Sequence, residues 1–220
     1  MTPARQRARK GEGDLLYEEI LDAAEELLAA KGSVDAVSMR AVAERVGVTP
    51  PSIYLHFTDK DELFFQCCAR GFEALGGRMA AAREGGGTVV EQLRRMGRAY
   101  VEYGLEKGSQ YRVIFGGAAP HPGALEEAGQ LPGVRTFMML VDTVVAGIEA
   151  GELRSDVDPT SLAVAIWAGV HGAVLILLMK DEADVLPLPG RGETIEAVLD
   201  VLERGFFRDG PTADGRRPNG

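Results

Sequence analysis

The chain has 220 residues, 45% of them hydrophobic and 6% aromatic, with 28 glycines. That is enough apolar material for a sizeable core, and it suits close-packed helices better than a β-sandwich, because β-branched runs alternating with period two are scarce. A formal net charge of −9 excludes a protein that coats nucleic acid through bulk electrostatics, but not one that touches DNA with a single small head.

A basic tail with Arg5, Arg7, Arg9 and Lys10 opens the chain. No apolar run follows that would make it an export signal, and residues 1–13 are expected to be disordered. Leu15, Leu16, Ile20, Ala23, Ala24, Leu27 and Leu28 then recur at helical spacing opposite Glu18, Glu19, Asp22, Glu25 and Glu26. The spacing predicts an amphipathic helix from Asp14 to Lys31, stopped by Gly32, with the acidic stripe as a solvated face.

Ser38 is a good N-cap, Ala41, Val42 and Val46 make an apolar face, and Gly47 supplies a turn. Thr49 followed by Pro50 is a second helix start. Two short helices joined by a tight glycine turn form a helix-turn-helix unit. A longer helix opens at Asp59 and runs to Ala82. It carries Cys67 and Cys68, adjacent cysteines that point in different directions and are not expected to bond to each other. With no export signal, this pair points to a reducing, cytoplasmic setting.

Beyond the break at Gly85-Gly86-Gly87, helices are expected over 88–107, 109–115, 134–150 and 191–207, with a loop over 116–133 that holds at most a helical turn or two. Asp158-Pro159 starts a further helix. From Pro159 to Met179 no residue is formally charged, a length that could cross a bilayer. The flanking Asp158 and Lys180-Asp181, and the diluting Gly169 and Gly172, argue instead for a helix buried against its own domain and a partner chain. Residues 209–220, rich in Gly, Pro and Arg, are expected to be disordered. The fold class expected is all-α, with a head over 14–60 and a helical body over 61–208.

The segment Ser38-x-Arg40-x-Val42-Ala43-x-x-x-Gly47-Val48-Thr49-x-x-x-Ile53-Tyr54-x-His56-Phe57-x-x-Lys60-x-x-Leu63 resembles the DNA-binding domain of TetR/AcrR-type regulators. The resemblance implies a three-helix head whose second helix-turn-helix element enters the major groove with Thr49, Pro50, Pro51 and Ser52 near base edges. The two prolines lack N–H groups and offer apolar contact, for instance to a thymine methyl. Tyr54 and His56 resemble the family's phosphate contacts, and Lys60 at a helix N-terminus is a further one. Arg40 either pairs with guanine or stays a solvated side chain touching phosphate. Ile53 and Phe57 are expected in the core. Charge is the objection: from Ser33 to Lys60, Arg40, Arg45 and Lys60 face Asp35, Glu44 and Asp59, so the head is formally neutral.

Trp167-Ala-Gly-Val-His171-Gly172 resembles the Trp-His-Gly signature of one C-terminal subclass of these regulators, and Gly151-Glu-Leu-Arg-x-Asp156-x-Asp158-Pro159 resembles the connection before it. Trp167 and His171 are spaced i, i+4 and share a face. They either line an effector cavity, with the imidazole supplying a hydrogen bond, or belong to the core, with His171 on a backbone carbonyl. Tyr103, Tyr111, Phe115, Phe137 and Met138 are further wall candidates. Gly169 and Gly172 suit a dimer seam built from the last two long helices. The expected partners are a palindromic double-stranded operator, a small apolar or aromatic effector and a second copy of the chain, with no membrane and no cofactor.

An enzyme would need a catalytic constellation, and none can be assembled. There is no phosphate-cradling Gly-Lys-Thr loop, His56, His121 and His171 are far apart, and adjacent cysteines do not make a zinc pair. A regulator without a ligand shares the head and differs in the body. Repressor and activator differ only in where the operator sits.

Overall fold

The structure, a computed structural model, describes residues 12–115, 130–182 and 189–206. Among them it holds nine helices and no strand: α1 (Glu12–Lys31), α2 (Met39–Val46), α3 (Pro50–Ile53), α4 (Lys60–Arg83), α5 (Val89–Glu106), α6 (Gly108–Phe115), α7 (Pro132–Glu149), α8 (Pro159–Glu182) and α9 (Arg191–Phe206). The fold is all-α, as the spacing predicts. Residues 1–11 and 209–220 of the tails and the helical-looking 124–129 lie outside the described residues, as does His121, whereas Glu12 and Gly13, expected in the tail, already belong to α1.

The chain divides into two compact units, one comprising Met1–Ala74 with Lys107–Val134 and the other Leu75–Glu106 with Arg135–Gly220. In the first unit the helix ends follow local chemistry. Gly32, at φ +72, closes α1 with its N–H on Leu28 O at 2.8 Å, a left-handed cap that suits glycine. At the start of α4, Asp59 Oδ1 accepts from Glu62 N at 2.8 Å, and Glu62 Oε2 accepts from Thr58 N at 2.6 Å. This reciprocal arrangement satisfies donors that the first turn leaves open.

Ile20, Leu21 and Ala24 of α1, Val42 of α2, Ile53 of α3 and Leu63 of α4 are all buried, with each larger apolar side chain contributing about 1.5–3 kcal/mol by leaving water. The acidic stripe of α1 is more than a solvated face. Arg70 of α4 binds Glu18, Asp22 and Glu25 at 3.0, 2.8 and 2.7 Å, and Gln110 of α6 donates to Glu25 at 2.8 Å. Burial nevertheless pushes the Glu25 carboxyl above its ordinary value, with the Arg70 hydrogen bond opposing.

In the second unit α5, α8 and α9 pack together, and glycine sets how closely. A Cβ at Gly97 would stand 2.8 Å from Leu199 and 3.4 Å from Val170, so a side chain there would clash where the three helices meet. At Gly169 a Cβ would lie 2.7 Å from Leu202, so this glycine admits the chain's own α9. Glu152 caps α5 from the α7–α8 connection, accepting from Val89 N at 2.6 Å, and Asp158 caps α8 by accepting from Ser161 N at 2.8 Å. Arg94 of α5 reaches Glu196, Asp200 and Glu203 of α9 at 2.6, 2.8 and 2.5 Å.

Candidate nucleic-acid interface and effector site

The head is built from local signals. Ser38, in an extended conformation, accepts from Ala41 N at 3.2 Å and starts α2, which buries Met39, Val42 and Ala43. Gly47, at φ +81, ends it, and both Gly47 N and Val48 N bond Ala43 O. Thr49 has the extended backbone of an N-cap, but its hydroxyl pairs with Ser52 Oγ at 3.0 Å instead of a helix N–H. With Pro50 and Pro51 in the first turn, two N–H donors are already absent and little capping is needed. The helix lasts four residues.

Below this turn, Ile53 and Phe57 are buried, as expected from the sequence. Phe57 stacks on Tyr17 of α1 at 4.8 Å between ring centroids. Sequence reasoning passes over Tyr17, although it falls on the apolar row of α1 three residues before Ile20.

Thr49, Pro50, Pro51 and Tyr54 are exposed, Ser52 and His56 half-buried. His56 sits edge-on to Tyr17 at 6.3 Å. The cations of the head are engaged within the chain. Arg40, 82% exposed, donates to Glu44 at 3.2 Å. Arg45 donates to Glu26 of α1 at 2.5 Å. Lys60 donates to Val34 O at 3.2 Å and stands 3.9 Å from Asp35. Exposed pairs of this kind contribute at most about 1 kcal/mol, so Arg40 can exchange Glu44 for a base or phosphate. Lys60 is 31% exposed and also pins the loop before α2. Cys67 and Cys68 are free thiols buried under the head, and burial pushes Cys68 up to about 11, which leaves them inert.

The effector candidates fall into both units. In the first, Tyr111 of α6 is buried against Phe115 at 4.8 Å, and Phe115 is edge-on to Phe72. In the second, Tyr103 is buried with the Arg78 guanidinium 5.5 Å from its ring centroid. Phe137 of α7 lies 6.0 Å from Trp167 of α8, and Met138 is exposed. Trp167 Nε1 donates to Tyr100 Oη at 3.0 Å, and the same hydroxyl lies 3.1 Å from His171 Nδ1. His171 Nδ1 thus meets the phenol hydroxyl of a tyrosine on α5. Tyr100 escapes sequence reasoning, because its link to Trp167 spans 67 residues of chain. A small apolar cavity of about 30 Å³ lies between α5, α8 and α9, lined by Val90, Leu93, Gly97, Ile166, Val170 and Leu199 among others, and none of the candidates lines it. Among the described residues no group of three His, Cys, Asp or Glu could hold a metal.

Comparison with known proteins agrees with this geometry. Residues 20–67 match the family model described as bacterial regulatory proteins, tetR family, and residues 93–205, half of the chain, match the tetracyclin repressor-like C-terminal domain. The chain belongs to the TetR family. The second description does not name the Trp-His-Gly subclass. The HTH-type transcriptional repressor KstR of Mycolicibacterium smegmatis is 31% identical over 108 residues, 47% of this chain and 53% of that protein, so the match spans about half the relative's length. The HTH-type transcriptional regulator Rv1816 of Mycobacterium tuberculosis is 24% identical over 185 residues, 70% of this chain and 77% of its own. A solved structure of a protein of unknown function from Rhodococcus sp. RHA1 shares the fold, with a TM-score of 0.72 at 24% identity over 93% of this chain and 100% of that one. As a TetR-family member the chain is a DNA-binding transcriptional regulator and not an enzyme.

Proposed function

We propose that this TetR-family protein is a cytoplasmic homodimeric repressor that binds a palindromic double-stranded operator and is released from it by a small apolar or aromatic effector. The observation that carries the reading is the head: a capped α2, a left-handed Gly47 turn and an α3 whose Thr49, Pro50, Pro51 and Tyr54 stand exposed over a buried Ile53–Phe57 anchor. In this reading Arg40 and the first turn of α3 meet base edges, while Tyr54, His56 and Lys60 hold phosphates. Neutral charge over the head leaves little non-specific attraction, so the surface contacts have to supply selectivity.

Dimerisation rests on α8. One side of this helix is buried, but Leu175, Ile176 and Met179 are exposed, as is Val201 of α9. A Cβ at Gly172 would meet no atom within 4 Å, and this open space suits close approach by a second copy. The same 21-residue apolar stretch is long enough to cross a membrane. Its buried row and the ionic flanks of the helix favour a partner chain instead. Sedimentation at micromolar concentration should give twice the 23.5 kDa chain mass, and Ala168→Glu, placing a carboxylate on this face, should shift it toward one chain. A monomeric wild type would refute the pairing.

Two recognition elements about 34–36 Å apart would then read half-sites one DNA turn apart. Effector favours the arrangement with misplaced heads, and linkage makes effector and operator oppose each other by about 1–3 kcal/mol. Tyr103, Tyr111, Phe115, Phe137, Met138, Trp167 and His171 are the side chains assigned to the effector. The test is a gel shift on the operator with added small molecules: dissociation by one of them supports release. A second reading is a regulator without ligand, which shares the head and differs in the body; a DNA complex that no small molecule dissociates would support it.

A further inference from the structure

Around α3 the outward stripe of the head is apolar. Tyr54 N bonds Pro50 O at 3.4 Å and Phe57 N bonds Ile53 O at 3.0 Å, so the i to i−4 pattern carries past the end of α3 to Phe57. Residues along it advance by about 100°. Ile53 and Phe57 fall together on the buried side. Pro51 and Leu55, also four apart, fall on the opposite side and are exposed, Leu55 by 85%. Pro50 and Tyr54, exposed as well, border this stripe on one edge, and the half-buried Ser52 borders it on the other.

The side chains of the stripe carry no polar atom, and the backbone beside it has little to offer. Pro50 and Pro51 have no N–H, and Ser52 N is bonded to Thr49 O at 2.9 Å. The Thr49 and Ser52 hydroxyls bond each other at 3.0 Å. A helix that starts this way gives up most of the N–H groups with which helix ends hold phosphate. A lone exposed leucine is ordinary. This one continues a row that the fold turns straight away from its own core, in the reading head of a DNA-binding regulator. The major groove presents one apolar group at the level of the bases, the C5-methyl of thymine. Pro51 and Leu55 stand about 6 Å apart along the helix, close to two base steps of about 3.4 Å.

We propose that Leu55, together with Pro51, is a specificity-determining contact that reads thymine C5-methyl groups in each operator half-site. The proposal rests on the operator reading above and adds to it a residue and the base feature that the residue recognises. Selectivity at this stripe comes from apolar surface leaving water, and so does not depend on a positive head. Cytosine and uracil, which carry no C5-methyl, forfeit the contact.

The experiment titrates the full-length protein, by fluorescence anisotropy, onto an operator obtained by random-sequence selection. Each thymine of one half-site is replaced in turn by deoxyuridine, which keeps the hydrogen-bonding groups of thymine and lacks only the methyl. At one or two positions the replacement should weaken binding about fourfold, the worth of one buried methyl group. At such a position, exchanging T·A for 5-methylcytosine·G should cost about fourfold less than exchanging it for C·G. Leu55→Ala, a change at an exposed position, should keep the melting temperature of the wild type and bind thymine and uracil DNA equally at one sensitive position. Pro51→Ala should do the same at the other where there are two. A selectively bound operator that tolerates uracil at every position overturns this inference alone and leaves the exposed stripe to a protein partner. A uracil effect undiminished in both Leu55→Ala and Pro51→Ala overturns it as well. A protein for which selection yields no preferred sequence overturns the operator reading too.

Discussion

In the first unit, helices are tied by charge: Arg70 holds three carboxylates of α1, and Arg45 and Lys60 reach back to Glu26 and Val34. In the second, α5 and α9 are tied the same way, with Arg94 on Glu196, Asp200 and Glu203, but α8 runs 21 residues without a formal charge and reaches α5 through Trp167 and His171 on Tyr100. The contrast follows from what each has to meet. The head has its cations already balanced, so its bulk attraction for a polyanion is weak, and in the proposed reading recognition falls to the few side chains that can be released, Arg40 foremost. The body presents rings and aliphatic surface, as the proposed apolar effector and second copy require.

The largest expected effect breaks the head alone. Phe57→Ala removes a buried ring stacked on Tyr17 and should cost about 3–5 kcal/mol. In urea, the helical signal should gain an early step while the Trp167 emission transition keeps its midpoint. Both signals moving together would show that the two units unfold as one. Arg40→Ala should leave stability unchanged and weaken operator binding by about 1–3 kcal/mol with preference relaxed at one base position. A uniform loss across sequences would make Arg40 a phosphate contact.

Lys60→Ala sharpens the comparison further. It should lower the slope of log affinity against log salt by about 0.9 for each phosphate lost. An unchanged slope would leave Lys60 as the pin of Val34 only. The smallest effect belongs to the body. His171 titrates below its ordinary value of 6.5 because of burial, so as pH falls through that value the unfolded chain takes up a proton that the folded chain resists. Stability should therefore be full above about pH 7 and decline below about 6.5. A thermal melt series from about pH 7.5 to about pH 5 should show this decline in the wild type, and less of it in His171→Gln.

The sequence carries the parts of this account that depend on neighbouring residues. Ser38 as a cap, Gly47 as a left-handed turn, Thr49-Pro50 as a helix start and Asp158-Pro159 as another are all local backbone chemistry, and each is found in place. The buried pair Ile53 and Phe57 is legible from periodicity in the same way. What the sequence hides is partner choice at long range. Arg70 meets Glu18 across 52 residues, Glu152 reaches Val89 across 63, and Tyr100 meets His171 across 71. Periodicity says which face a residue occupies, not which residue of another helix will stand opposite. Gly169 and Gly172 show the same limit: both read as small residues for close approach, yet one admits the chain's own Leu202 and the other stays open.

The most direct test of the central claim is a gel-shift titration of the full-length protein against the intergenic DNA beside its own gene, at a stated salt concentration. A discrete complex holding two chains per site, outcompeted only by the same sequence, is the result predicted. A shift abolished equally by random DNA, with random-sequence selection also yielding no preferred site, would contradict it.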